Sequence, residues 1–274
     1  MIIESTQNQY VKRLRALAGR KGRREHGEFL VEGVRALEDA VAAGAGISYV
    51  AHCAELASAD RARELAERLA AEAYRLMEVT EQVFRSFSQV QAPEGLAAAV
   101  AIPKVTLDDL PGDADLLLAA VDLRDPGNMG TLVRLADAVG ADGLIAAGTC
   151  VDLYEPKVVR ATAGSVFHLP LVQDVTADEV LHWAGARQIC TVATALEAEP
   201  WAEIRYPQRV LVLLGGEAHG LDEELAERAD LQVAIPMPGR AESLNVAVAA
   251  GIVAYEILRH REYNSDEDGE GGAG

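Results

Sequence analysis

IPMPGRAESLNVAVAAGIVAYE, residues 235–256, is the stretch of the chain that decides the fold. Its first residues end a predicted strand, Leu231 to Met237, and a Pro-Gly loop follows because proline and glycine interrupt both strands and helices. A long helix is predicted to begin at Ser243. From Leu244 to Ala254 nearly every residue is small or apolar, which is typical of a helix buried on more than one side.

The first turn of this helix is polar, although the helix itself is apolar. Glu242, Ser243 and Asn245 lie at the mouth of a buried element, where the unpaired amides of a helix amino terminus favour polar or anionic partners. When this stretch is taken alone, a simple capping role for Ser243 is the preferred interpretation.

The composition predicts a cytoplasmic protein with one large or two ordinary domains. The 274 residues are 50% hydrophobic, which is enough for a sizeable core. The sequence has no run of 18 apolar residues, and residues 1–9 lack the apolar segment of a signal peptide. The cysteines, Cys53, Cys150 and Cys190, are widely spaced in apolar contexts and match no metal pattern, so buried thiols are expected.

Charge is unevenly distributed along the chain. The formal net charge is −18, which by itself argues against a nucleic-acid partner. Residues 1–100 hold 13 Lys and Arg against 14 Asp and Glu, whereas residues 101–274 hold 12 against 29. A segment without acids contains Lys12, Arg13, Arg15, Arg20, Lys21, Arg23 and Arg24. This segment can bind phosphates, although a solvated helix face explains it equally well.

Alternating apolar runs and helical patterns predict an α/β protein in two parts. Residues 1–102 form a small α/β domain, residues 103–114 a linker, and residues 115–262 a second α/β domain. This second domain is predicted to hold an open, mostly parallel sheet of about six strands, which binds ligands at the carboxyl ends of its strands. Residues 263–274 are acidic and glycine-rich and are predicted to be a disordered tail. The strand-like runs of the second domain are Asp115–Leu123, Gly143–Gly148, Val166–Val172, Gln188–Thr194, Arg209–Leu214 and Leu231–Met237.

The stretch DLRDPGNMGTLVRLADAVGADGLI, residues 122–145, places polar residues directly after a strand. A D-P-G-N turn leads into a helix predicted from about Asn128 to Val139, which Gly140 ends. Arg134 points away from the apolar face of this helix. Taken alone, a turn or cap role for Asn128 and solvent exposure of Arg134 are the simplest interpretations.

Two later stretches combine loops with basic residues or glycines. In residues 155–171, Lys157 and Arg160 lie one turn apart on a helix face, where they either bind phosphate or face solvent. In residues 211–225, a buried strand runs into Gly215 and Gly216, which permit either close approach of a ligand or a tight turn. The sequence contains no dinucleotide fingerprint, Walker loop or nucleophile elbow, so it indicates no covalent nucleophile.

The four stretches together, in this order and spacing, resemble the SpoU, or TrmH-like, family of RNA ribose 2′-O-methyltransferases. The segments that carry the resemblance are DPGNMGTLVR (125–134), PKVVRATAGSVFHLP (156–170), GGEAHGL (215–221) and IPMPGRAESLNVAVA (235–249). Residues 2–40 are similar to the substrate-binding domain that often accompanies this family. The resemblance covers nearly the whole chain up to the acidic tail.

The resemblance implies a fold and a cofactor. The carboxyl-terminal domain is expected to be a knotted α/β domain of the SPOUT type, in which the last segments thread a loop to form a trefoil knot. The amino-terminal domain is expected to be similar to the ribosomal protein L30e-like fold. The protein is expected to be a homodimer whose knot loops bind S-adenosylmethionine, with no metal needed. The expected cofactor contacts are Thr194, Ala195, Gly215, Gly216, Ile235, Pro236, Met237 and Leu244.

The resemblance also implies roles for polar residues, because the family's motif residues match Asn128, Arg134, Glu217, Ser243 and Asn245. Arg134 is expected to hold a phosphate and to stabilise the developing alkoxide rather than to act as a base, since arginine side chains stay protonated. Ser243 and Asn245 are expected to position the ribose or Arg134, and Glu217 to orient its loop or Arg134. The expected RNA contacts are Lys12, Arg13, Arg15, Lys21, Arg23, Arg24, Lys157 and Arg160.

The function predicted from the resemblance is methyl transfer from S-adenosylmethionine to a ribose 2′-hydroxyl of 23S ribosomal RNA. The substrate-binding domain favours ribosomal RNA, with transfer RNA as the alternative. A non-catalytic RNA-binding or ribosome-assembly protein is a second alternative, although the complete set of polar motif residues argues against it. An oxidoreductase with a nucleotide cofactor is disfavoured because the dinucleotide fingerprint is missing.

Overall fold

The structure is a computed structural model that describes residues 2–216 and 220–267, without the side chains of residues 196, 197 and 262–267. Its helices are α1 (Gln9–Ala16), α2 (Arg20–His26), α3 (Val34–Ala42), α4 (Asp60–Ala71), α5 (Glu81–Arg85), α6 (Pro126–Ala138), α7 (Pro156–Ala161), α8 (Ala177–Ala186), α9 (Glu223–Glu227) and α10 (Val246–Glu267). Its strands are β1 (Glu28–Glu32), β2 (Ile47–His52), β3 (Leu76–Glu78), β4 (Leu96–Ala101), β5 (Leu116–Val121), β6 (Gly143–Ala147), β7 (Leu171–Val175), β8 (Cys190–Pro200), β9 (Val210–Gly215) and β10 (Leu231–Ala234). Among the residues described, none of the helices has the length and apolar content that crossing a bilayer requires.

The chain divides into two compact units. The first consists of the residues up to 104 together with Tyr154–His168, and the second of Val105–Leu153 with the residues from Leu169 onward. The first unit contains a four-stranded sheet in the order β1-β4-β2-β3, in which β4 runs antiparallel to both β1 and β2. Helix α1 packs on this sheet through Val11 and Leu14, which lie three residues apart and are fully buried.

The segment Tyr154–His168 belongs to the first unit, although it lies within residues 115–262, the predicted second domain. The rings of Tyr154 and Phe167 lie 4.9 and 6.0 Å, centroid to centroid, from the ring of Phe29 in β1. Burying three aromatic rings together removes a large apolar area from water, and this packing places the segment in the first unit despite its position in the chain. The domain bounds predicted from the sequence differ from the compact units in this segment.

The second unit contains a six-stranded sheet in the order β10-β8-β9-β5-β6-β7, and all of its adjacent strands are parallel. Strands β5, β6 and β9 are buried along their whole length, as expected for a parallel sheet covered on both faces. The predicted α/β fold with an open parallel sheet is therefore confirmed. The trefoil knot and the L30e-like character of the first unit stay predictions.

One predicted strand begins later than the sequence indicates. In the run Val166–Val172, the first residues belong to a 3₁₀ turn, Ser165–Phe167, and β7 begins at Leu171. Gly164 has a φ of +101°, and its carbonyl accepts a hydrogen bond from the Phe167 amide at 3.0 Å, which forms the turn. Pro170 has no N–H group to donate to a ladder, so regular pairing starts after it.

Helix α10 begins three residues later than predicted, at Val246 instead of Ser243. Asn245 caps it, because its Oδ1 accepts a hydrogen bond from the Ala247 amide at 3.0 Å. An asparagine oxygen satisfies an amide of the first turn as well as a serine does, so Ser243 stays in the loop. The helix continues to Glu267, into the predicted tail, and residues 268–274 lie outside the described part of the chain.

Candidate functional site

The candidate site lies at the carboxyl edge of the second sheet, where the ends of β10, β8, β9 and β5 are neighbours. Gly215 ends β9, and Ile235–Met237 directly follow β10. Thr194 and Ala195 lie where β8 stops pairing with β9. The predicted cofactor contacts other than Leu244 are thus on three adjacent strand ends, the edge at which open parallel sheets bind ligands.

At this edge β8 separates from β10. Ala193 of β8 pairs with Gln232 of β10, but the next residue of β10, Val233, pairs with Glu199. Residues 194–198 of β8 therefore form a bulge. The Thr194 hydroxyl donates a hydrogen bond to the carbonyl of Leu213 at 3.2 Å and fixes the start of the bulge. Main-chain N–H and C=O groups in a bulge lack ladder partners and can therefore bind a ligand.

Close backbone approach requires glycine at the end of β9. A Cβ on Gly215 would lie 1.9 Å from the carbonyl carbon of Gly220 and 2.0 Å from the nitrogen of Leu221. A Cβ on Gly216 would lie 2.7 Å from the carbonyl oxygen of Asp122. These glycines permit close approach to the protein's own backbone, and the approach of Gly216 to Asp122 brings the end of β9 against the end of β5.

The loop after β5 is held by two carboxylates. Asp122 has a φ of +55°, a left-handed conformation that is unfavourable for most residues other than glycine, and its Oδ1 accepts from the Thr149 amide at 2.6 Å. Asp125 caps α6 by accepting from the Asn128 amide at 2.8 Å, and Pro126 occupies the first helical position. Helix α6 thus begins two residues earlier than predicted, and Asn128 lies in its first turn.

Two predicted catalytic residues, Asn128 and Asn245, contact each other. The Nδ2 of Asn245 donates a hydrogen bond to the Oδ1 of Asn128 at 2.7 Å. This bond joins the first turn of α6 to the loop between β10 and α10, although the two residues are far apart in sequence. The site therefore contains the asparagine pair and the glycine turn at one edge of the sheet.

The side chains of Arg134 and Ser243 are exposed and form no hydrogen bond or ion pair with any residue in the described part of the chain. Arg134 follows Asn128 by six positions in α6, so the two residues lie about 9 Å apart along the helix axis and roughly 120° apart around it. The predicted orientation of Arg134 away from the apolar face is confirmed. Leu244 is also exposed, at 38%. Glu217 lies outside the described residues.

One predicted RNA contact, Arg23, is wrong. Its side chain is only 2% exposed and donates hydrogen bonds to the carbonyls of Leu17 and Ala18 at 2.9 and 3.1 Å. The reason is α2, a helix not predicted from the sequence. It packs closely on the end of α1, since a Cβ on Gly22 would lie 2.0 Å from the carbonyl oxygen of Ala16, and this packing turns Arg23 inward.

Arg13 and Arg15 also have structural partners. The Arg13 guanidinium contacts both carboxylate oxygens of Glu28, at 2.6 and 2.7 Å, and the Glu28 side chain is 4% exposed. Arg15 donates to the carbonyl and the hydroxyl of Ser86 at 3.1 and 2.9 Å. The predicted RNA contacts that remain exposed are Lys12, Lys21, Arg24, Lys157 and Arg160.

Burial disfavours the reactive form of two of the cysteines, Cys53 and Cys190. Cys53 is buried as predicted, but Cys150 and Cys190 are partly exposed, so the expected burial is wrong for these two. Burial, followed by the charge of Asp230, raises the pKa of Cys190 to about 11, and burial raises the pKa of Cys53. Since the thiolate is the reactive form of cysteine, neither of these two side chains is activated at neutral pH.

Two family descriptions match most of the chain. Residues 115–255 match the SpoU rRNA Methylase family, and residues 8–98 match the MRM3-like substrate binding domain.

Individual relatives match over almost the whole length. The 23S rRNA (uridine(2479)-2′-O)-methyltransferase of Streptomyces viridochromogenes is 36% identical over 270 residues, which cover 94% of this chain and 92% of that protein. The 23S rRNA (guanosine(2553)-2′-O)-methyltransferase RlmP of Bacillus subtilis is 31% identical over 257 residues, or 93% of this chain and 98% of that protein. The AdoMet-bound rRNA methyltransferase from Sinorhizobium meliloti superposes with a TM-score of 0.84 at 33% identity, covering 95% of this chain and 98% of that one.

Proposed function

The chain belongs to the SpoU rRNA methylase family, and we propose that it transfers a methyl group from S-adenosylmethionine to a ribose 2′-hydroxyl of 23S ribosomal RNA. The observation that carries this proposal is the hydrogen bond between Asn128 and Asn245, which follow β5 and β10 at the carboxyl edge of the parallel sheet. Two relatives are named as 2′-O-methyltransferases of 23S rRNA, and the related crystal structure contains AdoMet.

The strand ends fit S-adenosylmethionine chemically. Cofactor sites combine apolar side chains with a few directed polar groups. Here the bulge at residues 194–198 offers main-chain polar groups, and Ile235, Met237 and the exposed Leu244 offer apolar surface. When bound, the cofactor supplies a methyl group activated by a positively charged sulfonium. The residues that would hold it are Thr194, Ala195, Gly215, Gly216, Ile235, Pro236, Met237 and Leu244.

The polar residues then orient the ribose and stabilise charge. A ribose hydroxyl is a weak nucleophile, and correct alignment of reacting groups contributes about 7–11 kcal/mol in well-oriented systems. The amides of Asn128 and Asn245, with Ser243 in the same loop, position the ribose. The Arg134 guanidinium holds the adjoining phosphate and stabilises the negative charge that develops on the ribose oxygen. The orienting role of Glu217 stays a prediction.

The first unit is proposed to bind the RNA outside the reactive nucleotide. Residues 8–98 match a substrate binding domain, and Lys12, Lys21 and Arg24 are exposed on α1 and α2. Lys157 and Arg160 on α7, which belongs to the same unit, are also exposed. Lysine and arginine contacts to phosphates fix the register of a nucleic acid without reading its sequence.

We also propose that the protein is a homodimer formed through α10. Ala250, Val253, Ala254 and Ile257 on one face of α10 are fully buried within the unit. On another face, Val248 and Tyr255 lie seven residues apart and are 52% and 57% exposed. Large exposed apolar side chains aligned on a helix favour an interface with a second chain.

Light scattering after size exclusion tests the dimer. The wild type is expected to have the mass of two chains of 29.2 kDa, whereas the double variant Val248→Asp/Tyr255→Asp is expected to have the mass of one. Introducing two charges per chain would require burying them unpaired at the interface. Ile2→Asp is the matched control, since Ile2 is a large hydrophobic residue of similar exposure, 50%, and this variant should stay dimeric. A wild type that elutes as a single chain would contradict the proposal.

Mapping 2′-O-methyl groups in RNA from a strain that lacks the gene tests the proposed function. One 2′-O-methylated position in 23S rRNA is expected to be lost, and the wild-type gene is expected to restore it. Loss of a methyl group from transfer RNA would support the transfer RNA alternative. An unchanged methylation pattern in both RNAs would contradict the proposal.

A further inference from the structure

Two arginines flank the asparagine pair, and their side chains have no hydrogen-bond or ion-pair partner among the described residues. Arg124 lies in the loop between β5 and α6, and Arg240 lies in the loop between β10 and α10. Both side chains are exposed, and neither forms a hydrogen bond or an ion pair with any residue between 2 and 216 or 220 and 267.

The hydrogen bond between Asn245 and Asn128 joins the loop that contains Arg240 to the first turn of α6, which directly follows the loop that contains Arg124. Arg124 precedes Asn128 by four residues, so their Cα atoms are at most about 14 Å apart, and Arg240 precedes Asn245 by five, a limit of about 18 Å. Both arginines therefore lie close enough to contact nucleotides that neighbour the ribose proposed to bind at the asparagine pair.

The acids of the first loop do not neutralise these arginines. The carboxylates of Asp122 and Asp125 accept hydrogen bonds from the amides of Thr149 and Asn128, at 2.6 and 2.8 Å. Arginines elsewhere behave differently. Arg187 pairs with Asp108 and Arg228 with Asp178, at 2.8 and 2.6 Å. In a chain with a net charge of −18, unpaired guanidinium groups at the site edge counteract repulsion of a polyanion.

We propose that Arg124 and Arg240 bind phosphates of the RNA adjoining the methylated nucleotide. This inference rests on the proposed function, in which the asparagine pair binds the ribose of the RNA strand. Guanidinium groups form charge-assisted, often bidentate hydrogen bonds with phosphate oxygens. The two arginines thus provide positive charge for RNA binding on the second unit. Exposed lysines and arginines of α1, α2 and α7 provide it on the first unit.

Salt-dependent RNA binding tests the proposal, with full-length protein and 23S rRNA fragments. Arg124→Gln and Arg240→Gln are each expected to raise KM for RNA about tenfold. Each should also reduce the slope of log affinity against log salt concentration by about 0.7 for a single-stranded contact or about 0.9 for a duplex contact. The kcat at saturating RNA and the affinity for S-adenosylmethionine should be unchanged, and Arg124→Lys should keep the wild-type slope.

Arg205→Gln is the matched control, because Arg205 is exposed and unpaired in the described chain but lies in neither of the two loops. Its slope and KM are expected to equal those of the wild type. Wild-type slopes in both site variants, or an equal loss in the control, would overturn the inference while leaving methyl transfer by the wild type intact. A wild type without methyl transfer would instead refute the proposed function.

Discussion

Replacing Arg134 with alanine is expected to lower kcat for RNA methylation by about 10²–10³-fold, the usual effect of removing one group that stabilises a developing oxyanion. The Arg134 side chain is exposed and unpaired within the described chain, so its removal breaks no hydrogen bond or ion pair among those residues. The affinity for S-adenosylmethionine, measured by calorimetry, is expected to stay at the wild-type value. Single-turnover kinetics with saturating RNA give the loss in the chemical step directly.

Arg35→Ala is a suitable control for Arg134→Ala. Arg35 is also an exposed helical arginine without a partner among the described residues, but it lies on α3 in the first unit. Its turnover should match that of the wild type. Arg134→Lys should recover only part of the activity, because an ammonium group cannot reproduce the planar, bidentate geometry of guanidinium. Normal methylation by Arg134→Ala would remove this residue from the mechanism.

Replacing Gly215 with alanine is expected to lower the affinity for S-adenosylmethionine about 10- to 100-fold, since overpacking typically introduces about 1–3 kcal/mol of strain. The added Cβ would lie within 2.0 Å of backbone atoms of Gly220 and Leu221, and backbone cannot move aside as a flexible side chain can. The turn at the end of β9 must therefore open. Calorimetric titration of Gly215→Ala with S-adenosylmethionine measures the effect.

Gly185→Ala separates this local effect from a general effect of adding a methyl group. Gly185 lies in α8, and a Cβ there would meet nothing within 4 Å. Alanine is also the better helix former, so this variant should bind S-adenosylmethionine normally and unfold at an equal or higher temperature. If Gly215→Ala bound the cofactor as tightly as Gly185→Ala, the glycine turn would have no part in the cofactor site.

The fold of the second unit was accessible from the sequence because its parallel strands are continuous apolar runs. β5 and β6 each lie within a run identified by composition alone, and β9 extends only one residue, Gly215, beyond the run Arg209–Leu214. The exact ends of helices were harder to predict from the sequence, because several residue types can cap a helix. Both Ser243 and Asn245 are good caps, and the hydrogen bond from the Ala247 amide to Asn245 decides between them only in three dimensions.

Tertiary packing accounts for the features that the sequence did not reveal. The basic residues of 12–24 look alike in sequence, yet Arg23 is buried because α2 folds back on α1. Likewise, the contact of Tyr154 and Phe167 with Phe29 joins residues more than a hundred positions apart. No local pattern encodes such contacts, and the same holds for the bond between Asn128 and Asn245.

The chemical position of the transferred methyl group is the most direct test of the central claim. Purified protein is incubated with 23S rRNA and S-adenosylmethionine labelled in the methyl group, and the RNA is then hydrolysed in alkali. A ribose 2′-O-methyl group blocks cleavage of the adjoining phosphodiester, so the label is expected in an alkali-resistant dinucleotide. Label recovered in mononucleotides, on a base, or no incorporation at all would contradict the account.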